Sequence, residues 1–176
     1  MKIITNLQEM HDTMLQVKKK HEIAFIPTMG AFHKGHMSLI TKAFLKNPHS
    51  KIVVSLFVNP CQFTSAEDFE KYPNSKEDDI KKLLDFEKRE NIKIDYLFVP
   101  ENNSFYSDIH YPKLSEYNIK AENIILPKLF SELEGDTRTG HFEGVFQVLF
   151  RLFHIIMPSY AIFGQKDFQQ TLLVKH

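Results

Sequence analysis

The feature that most constrains this chain is the junction Phe25-Ile26-Pro27-Thr28-Met29-Gly30-Ala31-Phe32-His33-Lys34-Gly35-His36. The apolar run Ile23 to Ile26 reads as a buried strand and breaks at Pro27 to Gly30. Leu39, Ile40, Ala43 and Phe44 then recur at helical core spacing. A strand that turns at glycine into a helix leaves backbone N–H groups unpaired at the helix start. The helix dipole adds partial positive charge there, so the place suits a phosphate. Gly30 and Gly35 allow a bulky anion close to the backbone. His33 and His36, three apart, share one side of the first turn. Two imidazoles so placed could stabilise charge building on a phosphoryl group. Half a zinc site and ordinary helix capping are the plainer readings of the pair, and no third zinc ligand is evident.

Charge and cysteine usage narrow the class. Lys plus Arg equals Asp plus Glu at 22 each, so no basic excess calls for nucleic acid or a membrane surface. With 43% hydrophobic and 25% charged residues, the 176-residue chain suits one full core. The single Cys61 excludes an intrachain disulfide framework and is expected to be a packing residue in a reducing compartment. Met1-Lys2-Ile3-Ile4 leads directly into polar residues, and the apolar run Phe142 to Met157 is broken by Glu143, Gln147, Arg151 and His154. A cytoplasmic protein with no membrane and no nucleic-acid partner is therefore expected.

Along the chain, Asn6 to Lys20 reads as an amphipathic helix with Leu7, Met10, Met14 and Val17 on its apolar stripe. Its Lys18-Lys19-Lys20 end suits the dipole and reads as solvated. Lys51 to Val58 reads as a strand buried on both faces, ending at Asn59-Pro60-Cys61-Gln62-Phe63. Ser75 to Arg89 is helical, with Ile80, Leu83, Leu84 and Phe86, and Ile92 to Val99 is a strand. Pro100 to Ala121 reads as a long functional or mobile loop. A short strand (Asn123 to Leu126) and a short helix or turn (Pro127 to Leu133) precede a polar, glycine-rich stretch, Glu134 to Gly144. Val145 to Met157 is a buried helix, Tyr160 to Phe163 a strand, and Gly164-Gln165-Lys166-Asp167 opens a last helix.

Alternating strands and helices predict an α/β fold, a Rossmann-like parallel sheet with helices on both faces. Ligands bind such folds beyond the carboxyl ends of the strands. Pro27–Gly30, Asn59–Phe63 and Gly164–Asp167 each follow a strand there, so they should converge on one crevice. It would hold His33, His36, Lys166, Asp167 and the amides of Asn59, Gln62, Gln169 and Gln170. Lys166 is a cation for phosphates or a solvated lysine. Asp167 could accept from ribose hydroxyls or help hold a metal, or simply start a helix. Gln62 and Gln170 donate and accept, which suits a small polyhydroxy acid. With many donors and no activated nucleophile, the crevice suits direct phosphoryl or nucleotidyl transfer.

Five blocks in order carry a resemblance. They are Pro27-Thr28-Met29-Gly30-x-x-His33-x-Gly35-His36, Val54-Ser55-Leu56-Phe57-Val58-Asn59-Pro60-x-Gln62-Phe63, Asp68-Phe69-x-x-Tyr72-Pro73, Arg138-x-Gly140-His141-Phe142-x-Gly144-Val145 and Phe163-Gly164-x-Lys166-Asp167-x-Gln169-Gln170. The His-x-Gly-His core resembles the nucleotidyltransferase superfamily, and the blocks together resemble the pantothenate synthetase (pantoate–β-alanine ligase) family. The resemblance implies that ATP and pantoate form pantoyl adenylate, which β-alanine converts to pantothenate and AMP. It implies that Pro27, Met29, Gly30, Ala31, Phe32, His33, Lys34, Gly35 and His36, with Gly164, Gln165, Lys166 and Asp167, hold ATP. His36 matches the proton donor; His33 and Lys166 would stabilise charge on the transferring phosphate. Gln62, Gln170 and Asn59 match the pantoate subsite, with Gln62 also near β-alanine. Mg2+ is expected with the triphosphate, with Asp78 and Asp79 as possible contacts beside the plainer reading of a solvated helix start. A homodimer is implied by resemblance alone.

Some positions depart from the family pattern. Gln165 stands for the usual Glu, Asn74 for an Arg and Thr139 for a Pro. The chain also stops within an apolar helix pattern at Thr171 to His176. Residues 1–176 are therefore expected to be the nucleotide- and pantoate-binding N-terminal domain, with the family's C-terminal lid domain absent. Three readings follow: a working ligase, a module that binds ATP or pantoate with little catalysis, or another His-x-Gly-His adenylyl- or cytidylyltransferase. The motif contexts of Gln62 and Gln170 speak against the third.

Overall fold

The computed structural model describes residues 1–63, 66–73, 75–106 and 141–165. The described elements run β1 (Lys2–Ile4), α1 (Leu7–Lys18), β2 (Ile23–Ile26), α2 (Lys34–Lys46), β3 (Lys51–Ser55), a 3-10 turn (Pro60–Gln62), α3 (Ala66–Glu70), α4 (Lys76–Glu90), β4 (Tyr96–Phe98), α5 (Asn102–Phe105), α6 (His141–Ile156) and β5 (Tyr160–Ala161). The strands form a parallel sheet in the order β1-β4-β3-β2-β5.

Side chains alternate across this sheet with the period of two that strands impose. Ile23 and Phe25 of β2, Val53 of β3 and Phe98 of β4 join one core with Leu7, Met10 and Met14 of α1 and Leu149, Leu152 and Ile156 of α6. Ala24, Ile26, Ile52, Val54 and Leu97 face the other core, with Ile40 and Ala43 of α2 and Leu83 and Phe86 of α4. From β2 through β3 to β4 the chain steps one way across the sheet; from β1 to β2 and from β4 to β5 it steps back. The helices change face with that change of direction, as crossovers of a single hand require. The α/β expectation with helices on both faces is met.

Reversal of strand order between β2 and its two neighbours, β3 and β5, creates the switch point where open parallel sheets bind ligands. Asn6 caps α1 by accepting from the Glu9 N–H at 2.9 Å. Four elements were not anticipated: β1, the 3-10 turn, α3 and α5. Each is five residues or fewer, too short for periodicity to declare itself. The ladder of β3 ends at Ser55 rather than Val58, because Leu56 and Phe57 turn their N–H groups to Phe98 and Thr28. Leu84, expected in the core stripe of α4, is exposed. The readings of Asn123 to Leu126, Pro127 to Leu133 and the last helix lie outside the described residues.

Candidate active site

Two loops at the switch point are sewn together. Thr28, just after β2, donates its hydroxyl to the Ser55 carbonyl at 2.6 Å and its N–H to Ser55 Oγ at 3.3 Å. Its own carbonyl accepts from the Phe57 N–H at 3.1 Å. These bonds tie the ends of β2 and β3 together, and Gln62 Nε2 lies against Met29 Sδ across the join. Pro27–Gly30 and Asn59–Phe63 do converge.

The backbone amides of the first loop are not left open, however. Gly30 N–H goes to Thr28 Oγ1 at 3.2 Å. Ala31 N–H and Phe32 N–H go to the two oxygens of Asp79, at 2.7 and 2.8 Å. Gly30 has φ +86°, and a Cβ there would come 2.7 Å from Asp79 Oδ2. The chain thus satisfies the amides of the turn that precedes α2, which itself begins at Lys34. Phe32 is 3% exposed and belongs to the α2–α4 core.

What this loop offers a ligand is the start of α2. His33 is its N-cap, an uncommon residue type for that position. Its Nδ1 accepts from the Gly35 N–H at 3.0 Å, so the proton of the neutral ring sits on Nε2, the donor that remains. His33 and His36 stack with centroids 4.2 Å apart, and Phe32 meets His36 edge-on at 5.5 Å. His33, Lys34 and Gly35 are exposed; Pro27, Met29, Ala31 and His36 are half-buried.

The second loop is organised by Asn59, which is 1% exposed. Its Nδ2 donates to the Gly144 carbonyl at 3.0 Å and to Gln62 Oε1 at 3.2 Å. Its Oδ1 accepts from the Cys61 N–H at 3.1 Å and from the Tyr106 hydroxyl at 2.6 Å. Two donors and two lone pairs exhaust an asparagine amide. Asn59, expected at the pantoate subsite, is therefore fully engaged within the chain and orients its neighbours. Backbone groups of fixed polarity decide which way its amide faces, and it in turn decides Gln62. Oε1 of Gln62 accepts from Asn59, and its Nε2 is turned to Met29 Sδ in the neighbouring loop.

Gly144 explains the fourth block. A Cβ there would meet the Cys61 carbonyl oxygen at 2.2 Å and Gln62 N at 2.8 Å, so α6 rests directly on the 3-10 turn. His141 Nδ1 lies 2.8 Å from the Gln62 carbonyl oxygen. In the third block, Phe69 and Tyr72 pack edge-on against Phe63, at 5.4 and 5.6 Å. Cys61, expected to pack, is exposed; its backbone makes the contact.

Tyr106 was missed because it falls in the stretch read as a loop. Burial pushes its phenol well above the ordinary tyrosine pKa, the neighbouring Cys61 adds to this, and the Arg151 guanidinium over the ring opposes it. Above about pH 10 the unfolded chain loses that proton while the folded chain keeps it, so stability falls as pH rises. Wild type should lose up to about 1.4 kcal/mol per pH unit more than Tyr106→Phe in that range. Denaturant unfolding of both proteins between about pH 9 and about pH 11 measures it; parallel curves would contradict the assignment.

Asp78 and Asp79, read as possible metal contacts, differ in their surroundings. Asp79 is 3% exposed, its oxygens are taken by two amides, and Lys82 Nζ lies 3.6 Å from Oδ1. Asp78 is exposed on α4. Among the described residues no cluster of three or more His, Cys, Asp or Glu side chains could hold a metal ion, and no helix is long and apolar enough to cross a membrane. Gly164 and exposed Gln165 follow β5, beside β2. Lys166, Asp167, Gln169, Gln170, Asn74 and Thr139 lie outside the described residues.

Comparison with known proteins places this geometry. The family model described as pantoate-beta-alanine ligase matches residues 2–176. The chain is 45% identical over 157 residues to pantothenate synthetase of Thermodesulfovibrio yellowstonii, covering 89% of this chain and 50% of that protein. It is 40% identical to the Helicobacter acinonychis pantothenate synthetase, covering 100% of this chain and 58% of the relative. The pantoate-beta-alanine ligase of Francisella tularensis, solved in complex with beta-gamma ATP and beta-alanine, superposes with a TM-score of 0.80 at 36% identity, covering 99% of this chain and 60% of that one. The chain thus spans about half to three-fifths the length of these relatives.

Proposed function

The chain belongs to the pantoate–β-alanine ligase family, and we propose that it serves the ATP-dependent condensation of pantoate with β-alanine through a pantoyl adenylate. The observation that carries this reading is the crevice itself. The His33–His36 stack sits at the start of α2, and the loop before it is tied to the end of β3, where Gln62 Nε2 meets Met29 Sδ. A donor of fixed polarity suits a carboxylate or hydroxyl oxygen of the acid. Imidazoles at a helix N-terminus suit a triphosphate.

The chemistry follows from that arrangement. Gln62 holds pantoate so that its carboxylate oxygen attacks the α-phosphorus of ATP. The new oxygen–phosphorus bond forms as the bond to the bridging oxygen breaks, and pyrophosphate leaves with the electron pair. His33, through Nε2–H, and Lys166 stabilise charge on the phosphoryl oxygens, and His36 supplies a proton to the departing group. The neutral amine of β-alanine, held near Gln62, then attacks the acyl carbon, and AMP leaves. Positioning and charge stabilisation do the work, without a protein nucleophile.

Several further assignments belong to the same proposal. Residues 1–176 act as the nucleotide- and pantoate-binding domain and carry the groups needed to form the adenylate, while closure over ATP by a further domain adds to the rate. Gln170 completes the pantoate subsite, and Gly164 to Asp167 complete the ATP site. Magnesium travels on the phosphate oxygens of ATP, since Asp79 is already taken. The protein works in the cytoplasm as a homodimer.

Turnover tests the reading: pantoate, β-alanine and ATP should yield pantothenate and AMP, and release of ADP would contradict an adenylate. A sharper expectation concerns polarity at Gln62. Gln62→Glu keeps the inward acceptor for Asn59 but turns an anionic acceptor to the crevice. The Kd for pantoate should rise about a hundredfold, while ATP affinity stays within about twofold. Calorimetric titration of each ligand reads both; equal losses would mean general damage.

A further inference from the structure

Asp79 belongs to α4, in the β–α–β unit that follows the one containing the histidines, yet its carboxylate is spent on the β2–α2 loop. Two successive amide N–H groups converging on one anion form a nest, and here the chain fills the nest from within. The loop needs that hold. Ala31 has φ 51°, in the left-handed region that a residue with a Cβ avoids. Directly after it, Phe32 is pinned by the other carboxylate oxygen, and its ring meets His36, which stacks on His33. The line from Asp79 to the imidazoles is continuous.

We propose that Asp79 is a positioning residue: its carboxylate clamps the Gly30–Phe32 turn, holds Ala31 left-handed, and through Phe32 aims His33 and His36. Its effect on ATP rests on the ligase reading above; the clamp itself does not. Lys82, beside Oδ1, balances the buried charge from the solvent side.

Asp79→Asn tests it, because the variant has the same shape but faces one amide N–H with an NH2 group that cannot accept. Amide exchange at Ala31 and Phe32 should accelerate at least about tenfold, and the Kd for ATP should rise by a similar factor. Pantoate affinity should hold, since Gln62 is oriented from Asn59. Glycine adopts positive φ without a Cβ penalty, so Asp79→Asn with Ala31→Gly should recover ATP affinity. Unchanged exchange in Asp79→Asn would overturn the proposal. So would recovery by added Mg2+ and not by Ala31→Gly, which would make Asp79 a metal ligand. Should the single variant not fold, the double variant decides: recovered folding supports the clamp, and failure overturns it. A wild-type chain that binds no ATP would defeat the ligase reading, while exchange at Ala31 and Phe32 would still decide the clamp.

Discussion

His36→Ala is expected to lower adenylate formation by about 10²- to 10³-fold, the loss typical of removing one positioned group that stabilises developing charge. The fold should survive the change. His36 is half-buried in the first turn of α2, outside both hydrophobic cores. Its ring touches His33 and Phe32. Phe32 keeps its core position and its amide bond to Asp79 without it. Thermal unfolding should therefore shift by only a few degrees, consistent with loss of roughly 1 kcal/mol of packing in a chain of this size. A folded variant that retained full adenylate formation would remove His36 from the chemistry.

Gly144→Ala is expected to be the most damaging small substitution in the described chain. The added methyl would have to occupy space held by the Cys61 carbonyl group and the Gln62 nitrogen, at 2.2 to 2.8 Å. Backbone cannot swing aside as a flexible side chain can, so α6 or the 3-10 turn must shift. Stability should fall by about 3 kcal/mol, roughly 10 °C in Tm. The Gly144 carbonyl also receives one of the two Asn59 donors, so the Gln62 amide loses its fixed polarity. Pantoate affinity should drop with stability, whereas the ATP loop, clamped from Asp79, should be touched less. Calorimetric unfolding and ligand titration on one sample check both; unchanged Tm would mean that helix and turn separate easily.

Much of the architecture was legible in the sequence because the longer elements are periodic. Ile23 to Ile26 was read with its observed bounds, and Leu7, Met10 and Met14 fall on the buried face of α1. The meeting of Pro27–Gly30 with Asn59–Phe63 followed from alternation of strands and helices. The His33–His36 pair was legible too, since three-residue spacing at a helix start brings two rings together. Less legible was which polar groups the chain uses on itself. Asn59 lies in a motif beside Gln62, and only the bonds to Cys61, Gly144 and Tyr106 mark it as support. Asp79 looked like half of an acidic pair on α4, but its partners lie 47 and 48 residues earlier. Tyr106 follows a four-residue helix too short to read. In each case the deciding contact is long-range, and a local pattern carries no trace of it.

The central claim is that this crevice makes an acyl adenylate from pantoate and ATP. Pantoate-dependent exchange of labelled pyrophosphate into ATP tests it most directly, because it isolates the first half-reaction and needs no β-alanine. The account predicts exchange by the 176-residue chain that requires pantoate and disappears in His36→Ala. A folded chain that binds ATP and pantoate yet exchanges nothing would contradict it, and would leave these residues as a substrate-binding module.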